Sequence, residues 1–98
     1  MPHYIVLANF TDEGIRTIRD LPKQGEANTQ RMAAAGITVQ RFFTLGQYDA
    51  VTLVEAPNDE VMATLVLAIG SQGNFRSTTL KAFTDDEFSQ LIERLPSS

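Results

Sequence analysis

Apolar side chains on both faces of its predicted β-strands limit the folds open to this chain more than any other sequence feature. Successive side chains of a strand point to opposite faces of a sheet. In the first strand pattern both faces are apolar, with Tyr4, Val6 and Ala8 on one side and Ile5 and Leu7 on the other. Each face needs a cover, so we expect helices to pack on one face and a second copy of the sheet on the other.

Four strand patterns alternate with helical patterns along the chain. Runs rich in apolar, aromatic and β-branched residues predict strands over 3–10, 38–45, 48–55 and 75–83. The spacing of apolar residues predicts helices after Thr11, over 23–35, from Asn58 to Ile69 and after Thr84. This order predicts an α+β fold, the ferredoxin-like βαββαβ plait with an extra C-terminal helix.

Side chains typical of helix starts mark three of these boundaries. Thr11, Asn58 and Thr84 each precede acidic residues, an arrangement that satisfies free backbone N–H groups and suits the helix dipole. Thr84 and Glu87 also have the spacing of a capping box. We therefore expect three capped helices, including the one at the C-terminus.

Prolines and glycines predict where elements break. Pro22 is expected to end or kink the first helix, because it lacks an N–H donor and clashes with the preceding turn. Gly46-Gln47 is short enough for a hairpin turn. Strands 38–45 and 48–55 are therefore expected to pair in antiparallel fashion.

Length and charge bound the class of protein. With 98 residues, the chain is expected to form one domain over 1–98. Eight Lys and Arg against twelve Asp and Glu give a formal net charge of −4, so nucleic acid is not an expected partner. No apolar run reaches the roughly 18 residues of a membrane span, and the N-terminus lacks a signal-peptide pattern. We therefore expect a cytoplasmic protein with no membrane contact.

The residue types available also restrict the chemistry. Cysteine is absent and His3 is the single histidine. Disulfides, thiolate catalysis and metal sites built from several Cys or His residues of one chain are therefore excluded. Acidic residues at the helix starts are explained by capping, and we expect neither a metal nor a cofactor.

Self-association follows from the two apolar faces of the sheet. Sheet-on-sheet pairing would bury on the order of a few hundred Å² of apolar surface per copy, at roughly 25 cal/mol per Å² before the costs of association. We therefore predict a homodimer, or a larger homo-oligomer built from dimers.

The segment Thr44–Val51 resembles the signature of the GYD-domain family, whose name matches Gly46, Tyr48 and Asp49. Further matches lie at Phe10-Thr11, Gly14-Ile15, Pro22-Lys23, Gly73-Asn74, Thr79-Leu80 and Ala82-Phe83. The family is bacterial and archaeal, largely uncharacterised, and similar in fold to the dimeric α/β-barrel superfamily. That resemblance implies the plait and the dimer. Because the superfamily holds monooxygenases, cyclases, isomerases, haem-dependent chlorite dismutases and effector-binding domains, the fold does not choose a function.

His3, Tyr48 and Asp49 are the candidate catalytic residues. Tyr48 is a candidate hydrogen-bond donor to a carbonyl, Asp49 a candidate base, and His3 a group able to titrate near neutral pH. The structural alternative is that Tyr48 packs, Asp49 pairs with an arginine and His3 lies at a fraying strand end. Adjacent strand residues point to opposite faces, so Tyr48 and Asp49 are not expected to form one pair within a chain.

Arg41 and Arg76 lie inside predicted strands, where a guanidinium is unusual. A buried arginine requires a carboxylate or an anionic ligand. Asp49 and Glu55 are available as protein partners, and we favour such an ion pair for Arg41. A ligand carboxylate is the alternative partner.

Three functions remain open from the sequence. The first is an oligomeric small-molecule-binding module, with a cleft between sheet and helices lined by Tyr4, Arg41, Phe43 and Arg76. The second is a cofactor-free enzyme of the cyclase, isomerase or monooxygenase kind, which uses the Tyr, His and Asp candidates for acid–base chemistry. The third is a structural oligomer without a ligand.

Overall fold

The computed structural model of the chain describes residues 1–97. Its elements are, in chain order, β1 His3–Phe10, α1 Asp12–Arg16, α2 Leu21–Ala34, β2 Thr38–Phe43, β3 Ala50–Glu55, α3 Asp59–Ser71, β4 Phe75–Ala82 and α4 Asp85–Glu93. A short 3₁₀ turn, Ile18–Asp20, joins α1 to α2.

The four strands form one antiparallel sheet in the order β2-β3-β1-β4. Both β1–β3 and β1–β4 are neighbours in the sheet although helices intervene along the chain, which is the arrangement of a split βαβ fold. The structure therefore confirms the predicted α+β class, the ferredoxin-like order and the extra C-terminal helix.

The connection between β2 and β3 is longer than the sequence predicted. The strands end at Phe43 and restart at Ala50, so 44–49 form a loop instead of a two-residue turn. Gly46 has φ +118°, a conformation that other residues rarely adopt. Tyr48 and Asp49 consequently lie in the loop and not in a strand.

Pro22 lies at the start of a helix. It occupies one of the first two positions of α2, where its missing N–H is not needed and its fixed φ suits the helix. The break that the sequence predicted falls just before it, in the 3₁₀ turn that separates α1 from α2.

The N-terminus of α1 packs against the turn between α3 and β4. The Thr11 side chain accepts a hydrogen bond from the Gly14 N–H at 3.0 Å, which confirms Thr11 as an N-cap. The Thr11 N–H donates to the Asn74 carbonyl at 3.0 Å. A Cβ on Gly14 would lie 2.2 Å from that carbonyl oxygen, so only glycine fits this position.

The core lies between the sheet and the two longer helices, α2 and α3. Its buried members come from both layers and are Tyr4, Met32, Ile37, Val54, Ala56 and Met62. Apolar side chains from β1, β2 and α3 pack around them. The helical layer therefore covers one face of the sheet, as expected from the sequence.

The C-terminal helix α4 begins with the predicted capping box, formed by Thr84 and Glu87. Its apolar residues stand one helical turn apart and define the α4 stripe: Phe88, Leu91, Ile92 and Leu95. Within residues 1–97, α4 makes little contact with the other elements. The radius of gyration is 15.6 Å, against about 13 Å for a compact domain of this size, so one chain is elongated.

Candidate functional site

A cleft separates the sheet from α2 and α3 and holds a cavity of about 80 Å³. Its floor includes Ala50, Ala8 and Ser77, which lie side by side on β3, β1 and β4. Three small side chains in one row leave room that larger ones would fill. The cavity therefore arises from the sequence of the sheet itself.

Arg41 lines this cavity in the centre of β2 and is half-buried. It lies opposite Thr52 of β3, and its guanidinium runs past α2 at Gly25, where an added Cβ would lie 3.7 Å from Nη1. None of the ion pairs found within residues 1–97 includes Arg41. The ion pair that we favoured from the sequence is thus not formed in this chain.

Both expected partners of Arg41 are engaged elsewhere. The Asp49 carboxylate accepts a hydrogen bond from the Phe10 N–H at 2.9 Å, while its own N–H donates to the Ala8 carbonyl at 2.9 Å. Glu55 lies 2.7 Å from His3 Nε2. These contacts leave Arg41 as a charged group at the edge of an apolar cavity.

Tyr48 and Asp49 hold the 44–49 loop against the sheet. The Tyr48 carbonyl accepts a hydrogen bond from the Thr44 hydroxyl at 2.5 Å, and the Thr44 N–H donates to the Asp49 carbonyl at 2.9 Å. Together with the Asp49–Phe10 contact, these bonds fix the loop. The loop presents Leu45, whose side chain is fully exposed, to the solvent.

His3 lies at the opposite end of β1, between two carboxylates. Its Nε2 is 2.7 Å from Glu55 and its Nδ1 is 3.8 Å from Glu87 of α4. Hydrogen bonds from the Thr84 backbone and hydroxyl, together with the charge of His3, lower the pKa of Glu87. His3 therefore links β1 and β3 to the first turn of α4.

The three candidate catalytic residues do not meet within one chain. His3 and Asp49 lie at opposite ends of β1, which are roughly 20 Å apart for a strand of this length. A site that combined them would need residues from two copies. Their catalytic role stays a prediction from the sequence.

Tyr4 is a core residue whose hydroxyl is fully engaged. It donates a hydrogen bond to the Asp59 carboxylate at the start of α3, and Lys81 lies 2.9 Å from the same carboxylate. Burial, and then the contact with Asp59, raise the pKa of Tyr4 to about 12. The hydrogen bonds from Tyr4 and Lys81 lower the pKa of Asp59. The sequence explains Asp59 only as an acidic residue in the first turn of a helix and does not predict this link to the sheet.

The remaining ligand candidates lie apart from the cavity. Phe43 is half-exposed and its ring stacks on Phe10, with centroids 6.5 Å apart. Arg76 pairs with Asn9 in the β1–β4 register and is exposed on the face of the sheet away from the helices. Of the four predicted ligand residues, Arg41 alone is in the cavity lining.

The sheet face away from the helices is apolar and exposed. We call it the open face, and its apolar members are Ile5, Leu7, Phe42, Val51, Leu53 and Leu80. Phe42 is 50% exposed and Leu80 is 45% exposed. Ile92 in the α4 stripe is 52% exposed. Two unpaired apolar surfaces, one on the sheet and one on a helix, therefore belong to the same chain.

Residues 1–97 offer neither a metal-binding cluster nor a membrane-spanning helix. They contain no group of three or more His, Cys, Asp or Glu residues arranged to hold a metal ion. No helix in the described part of the chain has the length and apolar character needed to cross a membrane.

The antiparallel βαββαβ sheet with helices on one face defines a ferredoxin-like α+β protein. The sequence model of the GYD domain matches residues 4–92. A Thermus thermophilus protein named "Glutamine synthetase and cystathionine beta-lyase binding protein" is 34% identical over 97 residues, which cover 97% of this chain and 99% of the relative. No solved structure gives a significant match. The chain belongs to the GYD domain family, as the resemblance of its sequence predicted.

Proposed function

We propose that the chain is a self-associating protein-binding module, in which two copies pair through the open face and the α4 stripe and the dimer docks onto a metabolic enzyme. The observation that carries this proposal is the apolar surface that no described part of the chain covers. Contiguous apolar surface of this kind marks interaction sites in soluble proteins.

A second copy suits the composition of the open face. The open face and the α4 stripe together offer large, partly exposed apolar side chains on two elements, and side chains of this kind form the core of standard interfaces. Burying both also removes the exposed stripe of a helix that has little support within its own chain. The elongated shape of one chain is then explained as half of a compact dimer.

Charge on the open face supports the same occupant. Arg76 lies near one end of this face, while Glu55 lies at the other end beside Glu87. A two-fold axis that lies between the two sheets and runs perpendicular to the strands would bring the Arg76 end of one copy against the Glu55 end of the other. The surface is therefore complementary to itself in charge as well as in hydrophobicity.

The metabolic enzyme enters the proposal through the Thermus thermophilus relative, which is similar over nearly the full length of both chains. We assign this chain the same class of partner, glutamine synthetase or cystathionine β-lyase of its own organism. The cytoplasmic location expected from the sequence belongs to this proposal.

The test of the enzyme partner is direct binding between purified proteins. Each enzyme is immobilised and exposed to the full chain, with an unrelated acidic protein as the control for charge. We expect saturable binding to at least one immobilised enzyme and no binding to the same surface without enzyme. Absence of binding to both enzymes at 10⁻⁴ M, on the order of the weakest specific affinities, would reject the enzyme partner.

A second candidate function is the binding of a small molecule in the cleft. The observation that favours it is Arg41, a guanidinium without an acidic partner in residues 1–97, at an apolar cavity. The enzymatic alternative has no comparable support, because the candidate catalytic residues do not converge in one chain.

A further inference from the structure

We infer that the cleft binds a short aliphatic carboxylate, with its carboxylate on Arg41 and its tail over the small-residue floor. This inference rests on the second proposed function and names its ligand class. It starts from the charge of Arg41, because a partly buried guanidinium without a carboxylate is costly and favours an anion.

The position of Arg41 determines how the ligand lies. β2 is an edge strand, so Arg41 stands where the cavity meets the solvent. Thr52 lies directly opposite on β3 and also lines the cavity, with a hydroxyl that can donate to an anion. A carboxylate at this edge accepts two parallel charge-assisted hydrogen bonds from one guanidinium, whereas an alcohol or a neutral amide does not.

The interior of the cavity selects the tail. Beyond Arg41 the lining is mostly apolar, with Met32 of α2 and Val66 of α3 above the floor of Ala8 and Ala50. Its polar members are Asn28, Thr52 and Ser77. A polar tail would lose hydrogen bonds with water there and regain few. The ligand body is therefore a hydrocarbon.

The volume of the cavity limits the size of that tail. The cavity measures about 80 Å³. An apolar cavity of about 150 Å³ takes up benzene, so this one suits a smaller group. A branched or linear chain of a few carbon atoms fits, as in isovalerate, whereas an aromatic acid does not.

The test is a titration of the full-length protein with isovalerate and with its neutral amide, isovaleramide. Binding is followed by NMR of labelled methyl groups, which reports on Met32, Met62 and Val66 at the cavity. We expect isovalerate to shift these methyl signals in a saturable way. Because charge-assisted hydrogen bonds to carboxylates exceed neutral ones, isovaleramide should bind about tenfold more weakly or worse.

Arg41→Gln is the matching variant, with Arg31→Gln on α2 as the control for the loss of one positive charge. Arg31 is exposed and lies outside the cavity lining. We expect about a tenfold weaker isovalerate affinity in Arg41→Gln and an unchanged affinity in Arg31→Gln. If Arg41→Gln fails to fold, the comparison of acid and amide on the wild-type chain decides the question alone.

The two failures are distinguishable. Equal binding of isovalerate and isovaleramide would overturn the carboxylate class and leave a small-molecule site in the cleft. Unshifted methyl signals with both compounds would overturn the ligand class and the small-molecule function together. Shifts confined to residues outside the cavity would overturn the assignment of this site.

Discussion

Asp59 joins three elements through one carboxylate. It accepts hydrogen bonds from Tyr4 of β1 and Lys81 of β4, and it lies in the first turn of α3. Each of these neighbours favours the ionised carboxylate, which agrees with its lowered pKa. An acid in the first turn of a helix therefore also ties that helix to the sheet.

The lowered pKa of Asp59 predicts how stability depends on pH. The folded state holds the Asp59 proton less tightly than the unfolded state does, so its contribution is complete above about pH 4 and is lost as the pH falls through the depressed folded value. Asp59→Asn should therefore lower the urea midpoint at pH 7, and its difference from wild type should narrow at a lower pH, below about 4.

Asp85→Asn is the control for this experiment. Asp85 also lies in the first turn of a helix, but it forms none of the side-chain contacts found within residues 1–97. Its substitution should change the urea midpoint at pH 7 much less than Asp59→Asn does. A gap between wild type and Asp59→Asn that stays constant down to the lower pH would contradict the assigned role of Asp59.

Gly14 allows α1 to approach the turn before β4. A Cβ at this position would lie 2.2 Å from the Asn74 carbonyl oxygen, so the backbone has to move to admit one. Gly14→Ala should cost about 2 kcal/mol or more in free energy of unfolding, the range of an overpacked core. Urea denaturation followed by circular dichroism measures this loss.

Gly70→Ala is the matched control, because nothing lies within 4 Å of a Cβ placed on Gly70 in α3. Alanine favours a helix over glycine by about 1 kcal/mol, so this variant should be as stable as wild type or slightly more so. Equal losses in both alanine variants would show that helix packing at Gly14 is not the cause.

Local residue signals predicted the helix caps well. Thr11, Asn58 and Thr84 act on backbone groups three residues away, and the structure confirms all three caps. The contacts of Asp49 and Asp59 cross 39 and 55 residues of chain. Such contacts depend on how the strands pair, so the residues next to Asp49 and Asp59 in the sequence do not predict them. The partners of Arg41 were equally hard to predict, because Asp49 and Glu55 were chosen only from the expected adjacency of the strands.

α4 is the element with the least support in its own chain. It has nine residues, and an isolated helix shorter than roughly 12 residues is marginal in water even when it is well capped. Its capping box and the contact of His3 with Glu87 fix its start, while the α4 stripe has no cover in residues 1–97. The stability of α4 should therefore depend on a second copy.

Hydrogen exchange can detect this dependence. We expect the amides of Asp85–Glu93 to exchange more slowly at high protein concentration than at low concentration, because pairing covers the α4 stripe. The amides of α3 pack on the core of one chain and serve as the internal reference. Protection of α4 that is independent of protein concentration would contradict its role in pairing.

The sequence pattern predicted the order of the elements better than their ends. The strands next to the 44–49 loop are shorter than predicted. There the Asp49 N–H donates to the Ala8 carbonyl and Asp49 Oδ2 accepts from the Phe10 N–H, so Asp49 is held in the loop by contacts with β1. Alternating apolar residues cannot mark such an end. They do mark the two faces of the sheet, one of which is covered by helices while the other is exposed.

One chain leaves two apolar surfaces uncovered. The helical layer covers one face of the sheet, while the open face and the α4 stripe lie exposed on a body 55 Å long. Arg76 lies at one end of the open face, and Glu55, paired with His3, lies at the other. The proposed pairing of two chains would supply the second cover that the strand patterns require.

Sedimentation velocity over a range of protein concentrations tests this claim most directly. The wild-type protein should sediment with the mass of two 10.8 kDa chains, or of a larger even number of chains. Ile92→Ser in the α4 stripe should shift the protein toward the monomer. Leu67→Ser is the control, because Leu67 is 73% exposed on α3 and outside both surfaces. A wild-type chain that sediments as a 10.8 kDa monomer at every concentration would contradict the account.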